Sequence, residues 1–232
     1  MSYTEDLRKG VDYWWEKSFK HPFIQQLVDG TLEPNIFRFY LIQDHYYLAH
    51  FAKAHYRLAM KTKDKAVKQL MLEGNESLAA GEISVRESFF EALEIKASEL
   101  QAMEIAPTNY AYVSHIYRQF VEQDELAVLT SLLPCAWLYT EIGQRFKNKK
   151  SPEPIYQSWL DTYGDDEMMD FINDYCSVVN QLAENASEAS LISAEQAFIK
   201  SSIYEYNFWE MSIQQEKWDS LNQVEVGIQY GD

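Results

Sequence analysis

The sequence predicts an all-α fold, and three observations carry that prediction. Only 8 glycines and 6 prolines interrupt 232 residues, too few for the turns that a strand-rich chain needs. No segment sustains the apolar–polar alternation of a half-buried strand, whereas apolar residues recur three and four apart along most of the chain. No repeat of fixed period is visible. With 47 % hydrophobic residues the chain can bury a sizeable core, and no linker is long enough to separate domains. The expectation is a single-domain helical bundle over residues 1–218, with a polar tail over 219–232.

The helices can be placed in order. Thr4 is positioned to cap a first helix running to about Phe19, with Leu7, Val11, Trp14, Trp15 and Phe19 as its apolar stripe and Gly10 as its weak point. His21-Pro22 restarts the chain into a short helix that Gly30 ends. Pro34 suits the first turn of a long, unusually aromatic helix to about Lys61. Asp64 can cap the next, which reaches about Glu94, with Gly74 and Gly81 marking interruption or close contact. Ser98 with Gln101 resembles a weak capping box. Pro107-Thr108 punctuates before Asn109 to Gln123, and Glu125 to Lys147 follows. The stretch NKKSPEP is the clearest loop. Glu153 to Thr162 closes at Tyr163-Gly164, Asp165 starts a helix to about Asn185, and the last helix runs from Ser193 to about Lys217.

The net charge of −16 repels phosphate backbones and anionic membrane surfaces, so neither nucleic acid nor membrane is an expected partner. The two cysteines, Cys135 and Cys176, form neither a disulfide framework nor a metal-ligand spacing and suit a reducing cytoplasm. The opening MSYTEDLRKG lacks the apolar core of a signal peptide, and no run of about 18 apolar residues is present to span a bilayer. None of His21, His45, His50, His55 and His115 has an acid or another His three or four residues away, which disfavours a non-haem metal centre. Phosphate-cradling glycine loops, dinucleotide fingerprints and nucleophile elbows are also absent.

What remains as candidate chemistry is a thiol, some acids and many phenols. Cys135 follows Pro134 inside a helical stretch, SLLPCAWLYTEIG, and Tyr139 lies one turn on along the same face. Proline there strips a carbonyl of its donor and bends the helix; a free cysteine in an apolar helix is more commonly inert core. Cys176 reads as such core. Asp44, Glu141 and Glu205 lie among aromatic residues, where desolvation raises a carboxyl pKa toward the neutral range useful in proton transfer. The alternative is a boundary position with the carboxylate exposed or held by a hydroxyl. Asp44 shares a face with Tyr47 and Tyr40, and Glu205 with Phe208 and Trp209. Of the 16 tyrosines, Tyr112, Tyr139 and Tyr163 come from separate segments and could converge on one flat ligand or simply fill core.

Three blocks, QDHYYL, LLPCAWLYTEIG and SIYEYNFWEM, together with the WWEKSFKHPFIQQLVDGTL opening, make the chain resemble the TenA family, also called thiaminase II or aminopyrimidine aminohydrolase. The resemblance covers nearly the whole chain. It implies an all-α bundle of the haem-oxygenase-like type without haem or other cofactor, assembled as a homotetramer. It implies hydrolysis of 4-amino-5-aminomethyl-2-methylpyrimidine to the hydroxymethylpyrimidine used in thiamine synthesis, and cleavage of thiamine itself. By position it makes Cys135 the nucleophile, Glu205 the proton-transfer acid and Asp44 the anchor for the pyrimidine amino group and ring nitrogen. Tyr47 and Tyr112 become ring-stacking walls, Tyr139 and Tyr163 hydroxyl contacts, and Phe208 part of the pocket wall. Two other classes stand beside this reading: a regulatory protein that influences gene expression without catalysis, and a haem or metal oxidoreductase on the same bundle.

Overall fold

The computed structural model describes residues 2–77 and 83–218. The tail expected over 219–232 and the interruption expected at Gly81 lie outside the described residues. Twelve α-helices, and no strand, form among those described. The first five are α1 (Tyr3–Gly10), α2 (Asp12–Phe19), α3 (Pro22–Asp29), α4 (Pro34–Lys61) and α5 (Lys65–Ser77). Then come α6 (Ile83–Ala92), α7 (Ala97–Ala102), α8 (Pro107–Glu122) and α9 (Glu125–Phe146). The last three are α10 (Pro154–Tyr163), α11 (Asp166–Glu184) and α12 (Glu188–Gln214).

Local chemistry explains most boundaries. Proline opens α3, α4, α8 and α10, where its fixed φ suits the first turn and its missing N–H costs nothing. Asp64 accepts from the amides of Ala66 and Val67, Asp124 caps α9 and Asp165 caps α11. Gly30 ends α3 at φ 71°, a left-handed conformation; a Cβ there would also stand 2.4 Å from Pro152.

Four ends differ from the sequence expectation. The first helix is two, because the chain turns at Val11 (φ −108°, ψ 8°) just after Gly10. Its cap is Ser2, in a reciprocal capping box with Glu5, whereas Thr4 is buried and exchanges hydrogen bonds with Asn180 of 2.9 and 3.1 Å. Ser98 is not a cap: α7 starts after Lys96 without a side-chain bond. The final helix begins at Glu188 rather than Ser193, because the Ser187 hydroxyl accepts from the Ser190 amide and the residues between are good helix formers.

At the centre lie α9 and α12, packed together along most of their lengths. Around α9 lie α4, α8, α10 and α11, while α2 and α3 lie against α12. The α9 helix is long and apolar enough to cross a membrane, but 83 % of that stretch is buried inside the fold, so it is the bundle's core helix. Its start and that of α12 are tied by a hydrogen bond from Ser190 to Asp124. Thr130 then donates to the Ala194 carbonyl at 2.9 Å, and Ser201 to the Ser131 carbonyl at 2.7 Å. The two helices therefore run parallel. Ser131 and Ser201 are 70 residues apart, and the pairs Cys135–Glu205 and Tyr139–Trp209 follow at the same separation, one turn and two turns on. Pro134 sits inside α9 without ending it; the carbonyl it leaves without a donor is that of Thr130, while Ser201 donates to the next one, Ser131.

Candidate active site

Every site residue expected from the sequence is buried, and they come from five helices: Asp44 and Tyr47 on α4, Tyr112 on α8, Cys135 and Tyr139 on α9, Tyr163 on α10, and Glu205 and Phe208 on α12. The i, i+3 and i, i+4 spacings do the local work: Asp44 with Tyr47, Cys135 with Tyr139, and Glu205 with Phe208 each share one helix face. Helix packing supplies the rest.

Glu205 is the centre of the cluster and only 2 % exposed. The Tyr112 hydroxyl donates to its Oε1 at 2.6 Å, and the Cys135 thiol is hydrogen-bonded to the same carboxyl. Burial pushes the Glu205 carboxyl up to about 8, and the nearby charge of Asp44 adds to this, against the opposing pull of the Tyr112 and Cys135 bonds. Among the described residues no cation pairs with Glu205. Its proton is therefore poised near neutrality, close to the range of an ordinary thiol, about 8.5. Burial also drives the phenols of Tyr47, Tyr112 and Tyr139 well above their ordinary value, with Glu205 and Cys135 contributing in each case. These hydroxyls stay protonated and act as donors.

The rings divide into two groups. Tyr47 stacks on Tyr112 (centroids 4.9 Å apart, planes 30°) and meets Phe208 edge-on at 5.8 Å. Tyr139 meets Tyr163 at 4.9 Å and Trp209 at 5.1 Å. The second group stands where α9 and α10 touch main chain to main chain: a Cβ on Gly143 would lie 2.1 Å from the Tyr163 carbonyl oxygen. Only glycine allows that approach, and it brings Tyr163 against Tyr139.

The structure adds residues that local sequence did not reveal. Trp159 donates to the Tyr40 hydroxyl, which is 3.3 Å from that of Tyr139. Tyr40 was visible only as the residue one turn before Asp44. Gln43, next to Asp44, clamps α4 to the start of α8: it donates to the Glu104 carbonyl and accepts from the Ala106 amide and the Asn109 side chain. A buried glutamine offers no sequence signal of that kind. Glu141, one of the three acids among aromatics, lies elsewhere, paired with Arg8. Among the described residues no three His, Cys, Asp or Glu side chains group closely enough to hold a metal ion. Cys176 is half-buried, and burial pushes its thiol up to about 11.

The assembled chemistry is a thiol hydrogen-bonded to a buried carboxyl raised toward neutrality, a second carboxylate, and walls of protonated phenols. It suits covalent attack on a flat, nitrogen-rich ring with proton transfer to a leaving group. A model of the TENA/THI-4/PQQC family matches residues 8–215. The aminopyrimidine aminohydrolase of Bacillus subtilis (strain 168) is 37 % identical over 226 residues, covering 97 % of this chain and 96 % of that protein. The structure of a TenA homologue from P. horikoshii OT3 superimposes with a TM-score of 0.83 at 26 % identity, over 92 % of this chain and 99 % of that one. A chain from Shewanella denitrificans OS217 with a heme oxygenase-like fold superimposes at 0.64 and 14 % identity, covering 99 % of this chain and 98 % of that one, a likeness of fold alone.

Proposed function

The chain belongs to the TENA/THI-4/PQQC family and is a C–N hydrolase of the aminopyrimidine aminohydrolase type, and from that premise we propose that Cys135 carries the reaction covalently with Glu205 as its proton carrier. One arrangement supports this reading: Cys135, Glu205 and Tyr112 hydrogen-bonded in series inside a buried, ring-lined cluster.

The substrate is 4-amino-5-aminomethyl-2-methylpyrimidine, its ring held flat between the Tyr47–Tyr112 pair and Phe208. Asp44 holds the 4-amino group and a ring nitrogen, and Tyr139 and Tyr163 hydrogen-bond from the far side. Glu205, as carboxylate, takes the thiol proton. The Cys135 thiolate adds to a ring carbon, which ends aromaticity and pushes electrons toward the exocyclic C–N bond. That bond breaks as Glu205 returns its proton to the departing nitrogen, releasing ammonia. Water then adds to the exocyclic carbon, with Glu205 removing its proton. Departure of the thiolate restores the aromatic ring and yields the hydroxymethyl product. Two moderate steps replace one difficult displacement. In thiamine, the second substrate, the thiazolium nitrogen is the leaving group and departs as neutral thiazole without a proton, so Glu205 gives the thiol proton to solvent before it takes that of the attacking water; the other steps are the same. The two thiols suit a reducing cytoplasm, and the working assembly is a homotetramer.

Steady-state rates on the aminomethylpyrimidine and on thiamine, for wild type and Cys135→Ser, test the proposal. Wild type should prefer the aminomethylpyrimidine in kcat/KM. Cys135→Ser should fold and lose turnover by a factor on the order of 10³ or more. A serine variant with wild-type rate removes the thiol from the chemistry.

A further inference from the structure

Resting on the hydrolase reading, we infer that Tyr204, which takes no part in that chemistry, is a positioning residue: its ring locks Tyr112 in the orientation that delivers the Tyr112 hydroxyl to Glu205. Tyr112 is fully buried and reaches Glu205 from the opposite helix, α8. At the far end its hydroxyl donates to Glu205 at 2.6 Å and is also hydrogen-bonded to Tyr47; the angle of the Glu205 bond depends on the plane in which the ring is held.

Two tyrosines set that plane. Tyr47 lies against the Tyr112 ring from α4 at 4.9 Å and 30°. Tyr204 lies against it from α12 at 5.1 Å and only 11°, the most nearly parallel pair among the described aromatic contacts. Both contacts are face-to-face and among the described residues Tyr47 and Tyr204 make no ring contact with each other, so Tyr112 sits between them. Offset stacking of this type contributes about 0.5 to 1.5 kcal/mol beyond burial, enough to hold one torsion. Tyr204 is in turn backed by His115 at 5.6 Å. Both line a groove of about 790 Å³ between α8 and α12. Tyr204 is thus the partition between that groove and the Glu205 cluster, on the side away from Cys135.

Tyr204 also immediately precedes Glu205 on α12. The residue that holds the donor and the residue that receives it are fixed by the same backbone turn. No hydrogen bond of the Tyr204 hydroxyl is present among the described contacts, so the flat ring is what acts. Phenylalanine should therefore replace it, and an aliphatic side chain should not.

The readout is the proton on Glu205. The groups facing that carboxyl are Asp44 and Tyr47 from α4, Tyr112 from α8, and Cys135 and Tyr139 from α9. Of these, the Tyr112 hydrogen bond is the strongest influence that lowers its pKa. A misoriented Tyr112 must move the Glu205 titration upward.

Two measurements on the full-length protein test this. One is the infrared band of the protonated carboxyl against pH, assigned by its loss in Glu205→Gln. The other is the pH profile of kcat and KM on the aminomethylpyrimidine. Tyr204→Leu should titrate Glu205 at higher pH than wild type and lose about tenfold in kcat, with a smaller rise in KM because Tyr112 is also a wall for the ring. Tyr204→Phe should match wild type in both. If the leucine variant does not fold, Tyr204→Met keeps the bulk without the flat face and takes its place. An unmoved Glu205 titration in the aliphatic variant, or a phenylalanine variant as impaired as the leucine one, overturns the inference. Wild type inactive on aminopyrimidines would instead sink the hydrolase reading, and the infrared titration would still decide the role of Tyr204.

Discussion

Two carboxyl groups in this molecule look alike in sequence and differ in every physical respect. Glu141 and Glu205 each stand among aromatic residues on a central helix. Glu141 is met by a bidentate guanidinium: Arg8 donates from Nε at 3.0 Å and from Nη2 at 2.8 Å, while the same guanidinium lies 4.0 Å over the Trp15 ring. Glu205 is met by a phenol and a thiol, both weak acids themselves. A carboxylate facing a cation is a structural fastener. A carboxyl facing a hydroxyl donor and a thiol, with no cation to hold it charged, is a place where a proton can change hands. What separates chemistry from scaffolding here is the partner together with the burial, Glu205 being 2 % exposed and the Glu141 side chain 28 %; the surrounding rings are common to both.

The widest gap should appear in turnover. Glu205→Gln is expected to lose at least about 10³-fold in kcat while still binding the aminopyrimidine by calorimetry; Glu141→Gln should keep kcat within a factor of two. Equal losses in both would erase the distinction. The next effect is in stability against pH. Folded Glu205 keeps its proton up to about 8, whereas the unfolded carboxyl loses it near 4.3. Between those values the native state binds more protons, so stability falls as pH rises. In wild type this amounts to on the order of 3 kcal/mol between pH 5 and 9, read by urea unfolding, and Glu205→Gln should flatten that slope. His55 and His115 act in the opposite window. Burial pushes both down to about 4, so their contribution is lost as pH falls below about 6.5. Smaller still is Arg8→Met, which strands Glu141 and thins the cover over Trp15. It should cost about 1 to 2 kcal/mol and leave kcat in place. The smallest is Cys176→Ser, under about 1 kcal/mol and without kinetic effect; a kinetic loss there would mean that the second thiol also matters.

The course of the helices was readable because their punctuation is local. Pro22, Pro34, Asp64, Asp165 and Gly30 act on atoms within one turn of themselves. Of the readings that missed, Thr4 for Ser2 as cap turned on a distant contact, Thr4 with Asn180, whereas Ser193 for Ser187 as the last start missed a local bond from the Ser190 amide to the Ser187 hydroxyl. The site divides the same way. Pairs on one helix face, such as Cys135 with Tyr139, followed from spacing. That α4, α8, α9 and α12 converge was suggested only by resemblance to a family. Arg8 for Glu141, Trp159 for Tyr40 and Asn109 for Gln43 stayed hidden because each partner lies 66 or more residues away.

The parallel pairing of α9 and α12 makes the site intolerant of small changes in chain length. Removing one residue between Ser201 and Glu205 would swing the carboxyl by about 100° around its axis and leave a neighbour facing Cys135. Removing one from the NKKSPEP loop would leave both helical stripes untouched. Length variants of working relatives should therefore cluster outside the two spans 131–139 and 201–209, which behave as a pair of matched gear teeth.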